Sequence, residues 1–303
     1  MRQIRTDLAM EVYQAAGCGD IPGAQINQWE QAGVHITEVM IETEEGARAL
    51  GKPIGSYLTL EAPLLREGDA DVRLAISNIL AEEIGRMLTA SGVEQGSEGD
   101  PVLVVGLGNR RVTPDCIGPM TADRTLVTRH MLREAPGAAG MRSVCAFVPG
   151  VLGVTGLETA EMIESLVQRL HPRAVICVDS LAARDASRIG CAIQMTDAGI
   201  QPGSGVGNHR RPLTRATLGC EVIAIGMPTV IYASTLAMDA IRALRQDDTD
   251  IEAGLRDTPL NDMIVTPREI DSMTEQAAQI IASGINKALQ PQLSDAEIAA
   301  MMD

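Results

Sequence analysis

The feature that most constrains the fold is an alternation, in the second half of the chain, of short aliphatic runs with amphipathic helical patterns. The aliphatic runs predict buried strands at Val102–Val105, Ser143–Val148, Ala174–Val178 and Val222–Ile225. Apolar residues at helical spacing follow at Met120–Arg133, Thr155–Leu170 and Ser234–Leu244. Val/Ile-rich strands that alternate with helices are typical of parallel sheets covered on both faces. The sequence therefore predicts an α/β protein, with three α/β/α layers around a mostly parallel central sheet.

The rest of the chain carries further strand and helix patterns. Alternating apolar and polar side chains predict half-buried strands at Val34–Ile41 and Ser56–Leu60. Helical spacing predicts an amphipathic helix over Asp71–Leu88 and a long C-terminal helix over Arg268–Leu289. We expect one domain over residues 8–303, with surface excursions near residues 20–65 and 247–262.

A last short helix is expected over Ser294–Met302. Ser294 stands at its cap position and Glu297 follows three residues later, which is the spacing of a capping box.

Composition excludes several classes of function. With one Trp, three Tyr and one Phe in 303 residues, the core must be aliphatic, and binding of nucleic acid by stacked aromatic rings is disfavoured. A net charge of −15 repels nucleic acid and anionic membranes. We find neither a signal-peptide pattern nor a run long enough to span a membrane, so we expect a soluble, cytoplasmic protein with no membrane partner.

The cysteines and histidines do not indicate a metal site. Six cysteines are scattered without a CxxC pair, which favours reduced, mostly buried thiols over disulfides or zinc. Cys116 is the exception, because it adjoins Asp115 and could be accessible. The four histidines lack ligand spacing, so we expect no metal and no cofactor, although His209 with Arg210 and Arg211 could bind an anion.

Two aspartates stand near predicted strand ends. Asp115 lies in a loop between the first parallel strand and its helix, and Asp179 directly follows the strand Ala174–Val178. The carboxyl ends of parallel strands meet at one edge of a sheet, so the two carboxyl groups are expected to converge. When two carboxyl groups share a site, one ionises easily and the other keeps its proton. We therefore predict an Asp dyad that activates water and protonates a scissile carbonyl.

Simpler explanations exist for these motifs. An Asp after a strand or before a helix most often caps a helix or orders a turn. Gly106–Asn109 lacks the third glycine of a dinucleotide fingerprint and the Gly-Lys-Ser/Thr of a phosphate loop, so a tight turn is expected there. The glycine-rich segment Asp197–Asn208 indicates close approach to a substrate strand or to the Asp115 loop, and a plain surface loop is an equal alternative.

Four long segments together resemble the germination proteases, endopeptidases of spore-forming bacteria. They are GLGNRRVTPDCIGP (106–119), VDSLAARD (178–185), TDAGIQPGSGVGNHRRPLT (196–214) and GMPTVI (226–231). The resemblance covers nearly the whole chain. It implies an atypical aspartic-type endopeptidase of the spore core, a homotetramer, that begins the degradation of small acid-soluble spore proteins at germination. A more distant similarity to hydrogenase maturation peptidases implies their fold, with acidic residues that fall on Asp115 and Asp179.

The resemblance also implies a zymogen that removes its own short propeptide. The family cuts itself where an acidic residue precedes a large apolar residue and then Ala. Thr6-Asp7-Leu8-Ala9 fits this pattern, which predicts cleavage between Asp7 and Leu8 and a propeptide of residues 1–7. The alternative is that these residues only begin a helix, with Thr6 or Asp7 as its cap.

Other roles stay open at this point. The developing oxyanion could be stabilised by Asn109 or by backbone N–H groups near Gly203 and Ser204. The acidic residue before the cut could be bound by any of three arginines: Arg110, Arg111 and Arg210. Which Asp acts as base is undecided, because coupled carboxyl groups titrate as a pair. The competing functions are a hydrogenase-maturation-like C-terminal processing peptidase, which should place a His near the carboxylates, and a nucleotide-binding α/β protein.

Overall fold

The structure, a computed structural model, describes residues 6–93, 101–134, 140–203, 210–244 and 258–302. These residues form an α/β fold around one mixed, nine-stranded sheet. The strands are β1 (Ala24–Gln31), β2 (Val34–Ile41), β3 (Gly55–Glu61), β4 (Val102–Gly106), β5 (Val144–Phe147), β6 (Ala174–Ala183), β7 (Ala192–Thr196), β8 (Glu221–Tyr232) and β9 (Ile264–Val265). The helices are α1 (Ala9–Ala15), α2 (Glu44–Leu50), α3 (Ala70–Ala90), α4 (Ile117–Asp123), α5 (Arg129–Glu134), α6 (Leu152–Thr155), α7 (Thr159–Leu170), α8 (Arg215–Leu218), α9 (Ala233–Leu244), α10 (Ile270–Leu289) and α11 (Asp295–Met302).

The sheet is parallel only in part, so the expectation of a mostly parallel sheet is wrong. The strand order is β1-β2-β3-β7-β8-β6-β4-β5, and β9 pairs with the end of β8. Strands β5, β4, β6 and β8 run parallel to one another, whereas the other five pairings are antiparallel. The physical reason is visible at β1 and β2, which are joined by Ala32 and Gly33 alone, with φ of 50° and 77°. Such a two-residue turn can join only antiparallel strands.

Residues 24–61, placed in a surface excursion by the sequence analysis, supply β1, β2 and β3 of this same sheet. Most side chains of β2 and β3 are buried, whereas β1 lies at the sheet edge and is mostly exposed. The second expected excursion, 247–262, lies largely outside the described residues.

Helices cover both faces of the parallel strands. Val102 and Val104 of β4 pack into an apolar cluster with residues of α3 and α10, while Leu103 and Val105 pack into a second cluster with residues of α7. Successive side chains of a strand point to opposite faces, so these clusters are two separate layers of the core. Each fully buried aliphatic side chain contributes about 1.5–3 kcal/mol.

One predicted helix, Met120–Arg133, is interrupted and forms α4 and α5. The interruption is held by Asn286 of α10, whose Oδ1 accepts the Leu126 N–H at 2.9 Å and whose Nδ2 donates to the Arg124 carbonyl at 3.0 Å. Because this side chain satisfies backbone groups that a continuous helix would pair, the break costs little. Across the described ranges, no helix combines the length and the apolar character that crossing a membrane requires.

The last helix, α11, begins as predicted. The Glu297 N–H donates to Ser294 Oγ at 3.3 Å, and the Ser294 N–H donates to Glu297 Oε2 at 2.8 Å. These two reciprocal bonds are the predicted capping box.

Candidate active site

The turn after β4 brings the Asp115 loop against β6. A Cβ on Gly118 would lie 2.2 Å from the Leu107 carbonyl oxygen and 2.3 Å from that of Val178. A Cβ on Gly106 would lie 2.3 Å from the Gly118 carbonyl oxygen. Only glycine fits both positions, and the loop backbone therefore reaches the residue that precedes Asp179.

Asp115 ends a short 3₁₀ turn, Thr113–Asp115, that is tied down on two sides. Its Oδ2 accepts the Asn109 N–H at 2.9 Å, and Thr229 of β8 donates its hydroxyl to the Pro114 carbonyl at 2.7 Å. Burial raises the pKa of Asp115 to about 6, against the lowering effect of the Asn109 N–H. A carboxyl group with this pKa can both accept and donate a proton near neutral pH.

Asp179 is the second carboxyl group of the site. Its side chain is buried, and its Oδ1 accepts the N–H of Ser180 at 2.9 Å. Burial raises the pKa of Asp179 well above its ordinary value, and the charge of Asp115 raises it further. The structure thus brings the two aspartates into one site.

The expectation that Asp179 follows the end of a strand is wrong. Strand β6 continues to Ala183 because β8 stays paired with it as far as Ile231. The strand that ends at this level is β4, which lies on the other side of β6. Its last residue, Gly106, pairs with Val178. Asp179 is therefore the first residue of β6 beyond the end of β4, which leaves its side chain next to the Asp115 loop.

A row of paired residues crosses three strands at the level of Asp179. Asp179 of β6 pairs with Gly226 of β8, and Gly226 pairs with Gln194 of β7. Paired residues of a sheet face the same side, and adjacent strands lie about 4.8 Å apart. Asp179 and Gln194 therefore share one face, about 10 Å apart, with a glycine between them. A Cβ built on Gly226 would lie 2.7 Å from Leu181 Cγ, so the Leu181 side chain packs against this glycine.

The N-terminal segment lies against this row. The Asp7 N–H donates to the Ala182 carbonyl at 3.0 Å, and the Ala182 N–H donates to Asp7 Oδ2 at 2.8 Å. Gln194 Nε2 and Lys52 Nζ each donate to the Asp7 carbonyl oxygen at 3.0 Å. The charge of Asp7 is close enough to add to the raised pKa of Asp179, after burial and the charge of Asp115.

The residues after Asp7 are anchored in the core. Leu8 is fully buried in an apolar cluster that includes Leu181 of β6. The buried carboxylate of Glu11 accepts the Arg184 N–H at 2.7 Å and pairs with Arg188 at 3.2 Å. These contacts fix the Asp7–Leu8 peptide bond relative to the strand that carries Asp179.

The residues expected to stabilise an oxyanion lie in different parts of the site. Asn109 adjoins the dyad, but its backbone N–H is bound by the carbonyl and the carboxylate of Asp115. Gly203 is half-buried and is the last described residue before a gap. Ser204 and His209 lie outside the described residues, so their roles stay predictions.

Two of the three arginines considered as readers of the acidic residue are paired with carboxylates elsewhere, Arg110 with Asp123 and Arg210 with Glu158. Arg111 is exposed, and its backbone N–H donates to Asn109 Oδ1 at 3.0 Å. The cation beside Asp7 is instead Lys52, which the sequence analysis missed. The sequence offered one signal for Lys52, the rarity of lysine in this chain. Only two of the 25 basic residues are lysines, Lys52 and Lys287. Gln194 and Gly226 were missed as well.

Cys116, the one cysteine that the sequence analysis considered as accessible, is buried. Its Sγ lies 3.0 Å from the Thr113 carbonyl oxygen and 3.3 Å from Sδ of Met120, which stands one turn further along α4. Within the described part of the chain, no three His, Cys, Asp or Glu side chains are grouped so that they could hold a metal ion.

Comparison with known proteins identifies the family. The family model described as germination protease matches residues 5–247, a segment that contains Asp7, Asp115 and Asp179. The germination protease of Caldanaerobacter subterraneus subsp. tengcongensis is 41% identical over 99% of this chain and 98% of its own length. Those of Clostridium tetani and Bacillus subtilis are 37% and 36% identical, over 99% and 96% of this chain and 99% and 94% of their own lengths. The chain therefore belongs to the germination protease family and is a peptidase.

Proposed function

We propose that the chain is an aspartic-type endopeptidase that removes its own residues 1–7 and then degrades small acid-soluble spore proteins. The observation that carries the proposal is the position of the Asp7–Leu8 bond. The segment around this bond pairs with β6 at Ala182, three residues beyond Asp179. The charge of Asp7 thus reaches Asp179 and raises its pKa, and burial raises the pKa of both dyad carboxyl groups, which supports a role for the dyad at this bond.

In this proposal the two carboxyl groups of the dyad share one proton, so that one is ionised and the other is protonated. The ionised member accepts a proton from water, whose oxygen attacks the carbonyl carbon of the scissile bond. The protonated member donates a proton to the reacting peptide group. Because Asp115 and Asp179 interact, the pair titrates as one unit and neither role belongs to a single residue.

The unprocessed chain is a zymogen in this proposal because its own N-terminal segment fills the place of a substrate. Asp7 uses both its backbone N–H and its carboxylate to bind Ala182. A substrate with an acidic residue before the cut would make these same contacts once residues 1–7 have left.

Self-processing tests the first half of the proposal. The purified full-length chain is incubated and the mass of its N-terminus is followed, beside Asp115→Asn and Asp179→Asn variants. Asp239→Asn is the matched control, because this residue pairs with Arg184 on the surface. We expect loss of residues 1–7 in the wild type and the control, at rates about 10²–10⁴ times higher than in the dyad variants. Normal processing in both folded dyad variants would reject the dyad.

Digestion of a purified small acid-soluble spore protein tests the second half. Mass spectrometry of the products should show cuts between an acidic residue and a large apolar residue. An intact substrate after incubation with a processed, folded enzyme would reject this substrate class.

We also propose a homotetramer in the spore core and, for the parallel strands β5, β4, β6 and β8, a likeness to hydrogenase maturation peptidases. These proposals are carried over from the resemblance of the motifs. Light scattering of the purified protein at several concentrations tests the tetramer.

A further inference from the structure

Two side-chain donors converge on a single backbone oxygen of the N-terminal segment. Lys52 Nζ and Gln194 Nε2 each lie 3.0 Å from the Asp7 carbonyl oxygen. That carbonyl belongs to the Asp7–Leu8 peptide bond. Donors that stabilise an oxyanion lie 2.7–3.1 Å from the position of the charged oxygen, and both side chains are already at hydrogen-bond distance from the carbonyl oxygen that would carry the charge.

Both donors are held rigidly. Lys52 stands between Gly51, the left-handed cap of α2, and Pro53, whose ring restricts the backbone of the preceding residue. Gln194 lies in the buried strand β7, and its Oε1 accepts the Ala9 N–H at 2.7 Å. The Gln194 amide therefore bridges the Asp7–Leu8 bond, with one contact on each side.

The electrostatics of Lys52 suit charge stabilisation. Burial lowers the pKa of Lys52, while the charges of Asp7 and Glu11 oppose that shift. A half-buried ammonium group interacts more strongly with a nearby negative charge than an exposed one does, because less water screens the pair. Lys52 also donates to the Thr6 carbonyl at 3.2 Å, which aligns the chain before the bond.

We propose that Lys52 and Gln194 bind the carbonyl oxygen of the residue before the cut and stabilise the negative charge that forms on it. This inference rests on the proposed cleavage between Asp7 and Leu8. A water oxygen bonds to the Asp7 carbonyl carbon, the C=O π electrons move to the carbonyl oxygen, and the dyad takes the water proton. The C–N bond to Leu8 then breaks, and the products are a carboxyl group and an amine.

The arrangement also decides where the second proton goes. A carbonyl oxygen has two lone pairs, and here Lys52 and Gln194 occupy both. With the charge on the oxygen stabilised by these donors, the proton held by the dyad goes to the nitrogen of Leu8, which must be protonated to leave as an amine. The same geometry serves any substrate whose backbone takes the place of residues 6–9.

The test compares Lys52→Met with Lys287→Met, which replaces the other lysine of the chain, in α10, where it pairs with Asp295. Self-processing of each full-length protein is followed by mass spectrometry. Each variant is then freed of residues 1–7 by tagged wild-type protein, which is removed. The kcat and KM for a synthetic peptide with the sequence of residues 1–15 are measured, and thermal unfolding checks the fold.

We expect Lys52→Met to slow self-processing and to lower kcat by about 10²–10³, with a smaller rise in KM, because the bond already made to the neutral carbonyl oxygen strengthens as negative charge develops there. Lys287→Met should behave as wild type, and Lys52→Arg should recover part of kcat. Gln194→Met is the second probe, should Lys52→Met fail to fold, and its kcat should fall by a similar factor.

The outcomes separate the two proposals. A wild-type chain that neither processes itself nor cuts the peptide overturns the proposed function. A wild type that cuts, beside a folded Lys52→Met or Gln194→Met variant with normal kcat, overturns only the oxyanion role. A raised KM with normal kcat also overturns it, because Lys52 would then only bind the ground state.

Discussion

Replacing Asp115 with Asn should stabilise the fold while it removes peptidase activity. In the fold, burial raises the pKa of Asp115 from its ordinary 3.8 to about 6. Between these two pH values the unfolded chain releases a proton that the folded chain keeps, so the wild-type fold loses stability as pH rises. Above pH 6 both states are ionised and the loss is complete.

The shift is roughly 2 pKa units, and one unit corresponds to about 1.36 kcal/mol, so ionisation of Asp115 costs the fold about 3 kcal/mol. Asn is neutral at every pH, and its Oδ1 can still accept the Asn109 N–H. The unfolding free energy of Asp115→Asn should therefore exceed that of the wild type by about 3 kcal/mol at pH 7.5. The difference should shrink towards zero as pH falls to about 4.

The assay is urea unfolding of both proteins between pH 4 and 7.5, at one protein concentration, with the N-terminus shown to be intact by mass spectrometry. Asp123→Asn is the control, because its side-chain bond to Arg110 lowers the pKa of Asp123. Asp123→Asn should have a slightly lower unfolding free energy than the wild type at neutral pH, a change opposite in sign to that of Asp115→Asn. A difference between Asp115→Asn and wild type that does not change with pH, or that grows towards acid, would refute the reasoning.

Three further substitutions test the surroundings of the site. Arg188→Met leaves the Glu11 carboxylate buried without its cation, so the unfolding free energy measured by urea titration should fall by about 3–5 kcal/mol. A loss below about 1 kcal/mol would contradict a buried ion pair. Gly226→Ala places a Cβ 2.7 Å from Leu181 Cγ, so it should lower the unfolding free energy by about 1–3 kcal/mol and slow self-processing. Unchanged processing would show that the row from Asp179 to Gln194 tolerates a side chain at this position. Ser294→Ala should cost about 1 kcal/mol, with no change in peptidase activity, and equal urea midpoints would argue against the cap.

The parallel part of the fold could be predicted from the sequence because burial on both faces leaves continuous aliphatic runs. Val102–Val105 matches β4 almost residue for residue, and Asp71–Leu88 lies within α3. In such segments local pattern and tertiary environment agree, so one sequence is enough to find them.

In the antiparallel part, β2 and β3 were predicted as half-buried strands from their alternating side chains, whereas β1 was not. β1 is an exposed edge strand of polar residues, Ala24–Gln31, whose pattern is that of a loop. Its turn, Ala32-Gly33, lacks the Asn-Gly or Asp-Gly pair that usually marks a hairpin. What makes β1 a strand is pairing with β2, which is a property of the assembled sheet.

The residues of the candidate site also differ in whether the sequence alone could identify them. Asp115 and Asp179 could be found because each stands beside a recognisable strand or its loop. Lys52 and Gln194 could not be assigned a role from the sequence, because Lys52 lies in the loop between α2 and β3 and Gln194 in β7, and only the folded chain brings both to the Asp7 carbonyl oxygen. The row from Asp179 through Gly226 to Gln194 joins residues 179, 226 and 194 only after three strands have paired.

The early end of β4 has a consequence for turnover. Beyond Val178, β6 bonds to the N-terminal segment where β4 no longer reaches, at Ala182. In the proposed reaction, departure of residues 1–7 strips the Ala182 N–H and C=O of their partners, and each group left without a hydrogen bond in a buried place costs about 1–3 kcal/mol. The processed enzyme thus carries a short length of vacant strand edge that an extended chain can satisfy. Folded proteins keep their backbone groups paired internally, so this edge selects for substrates that are unfolded around the cut.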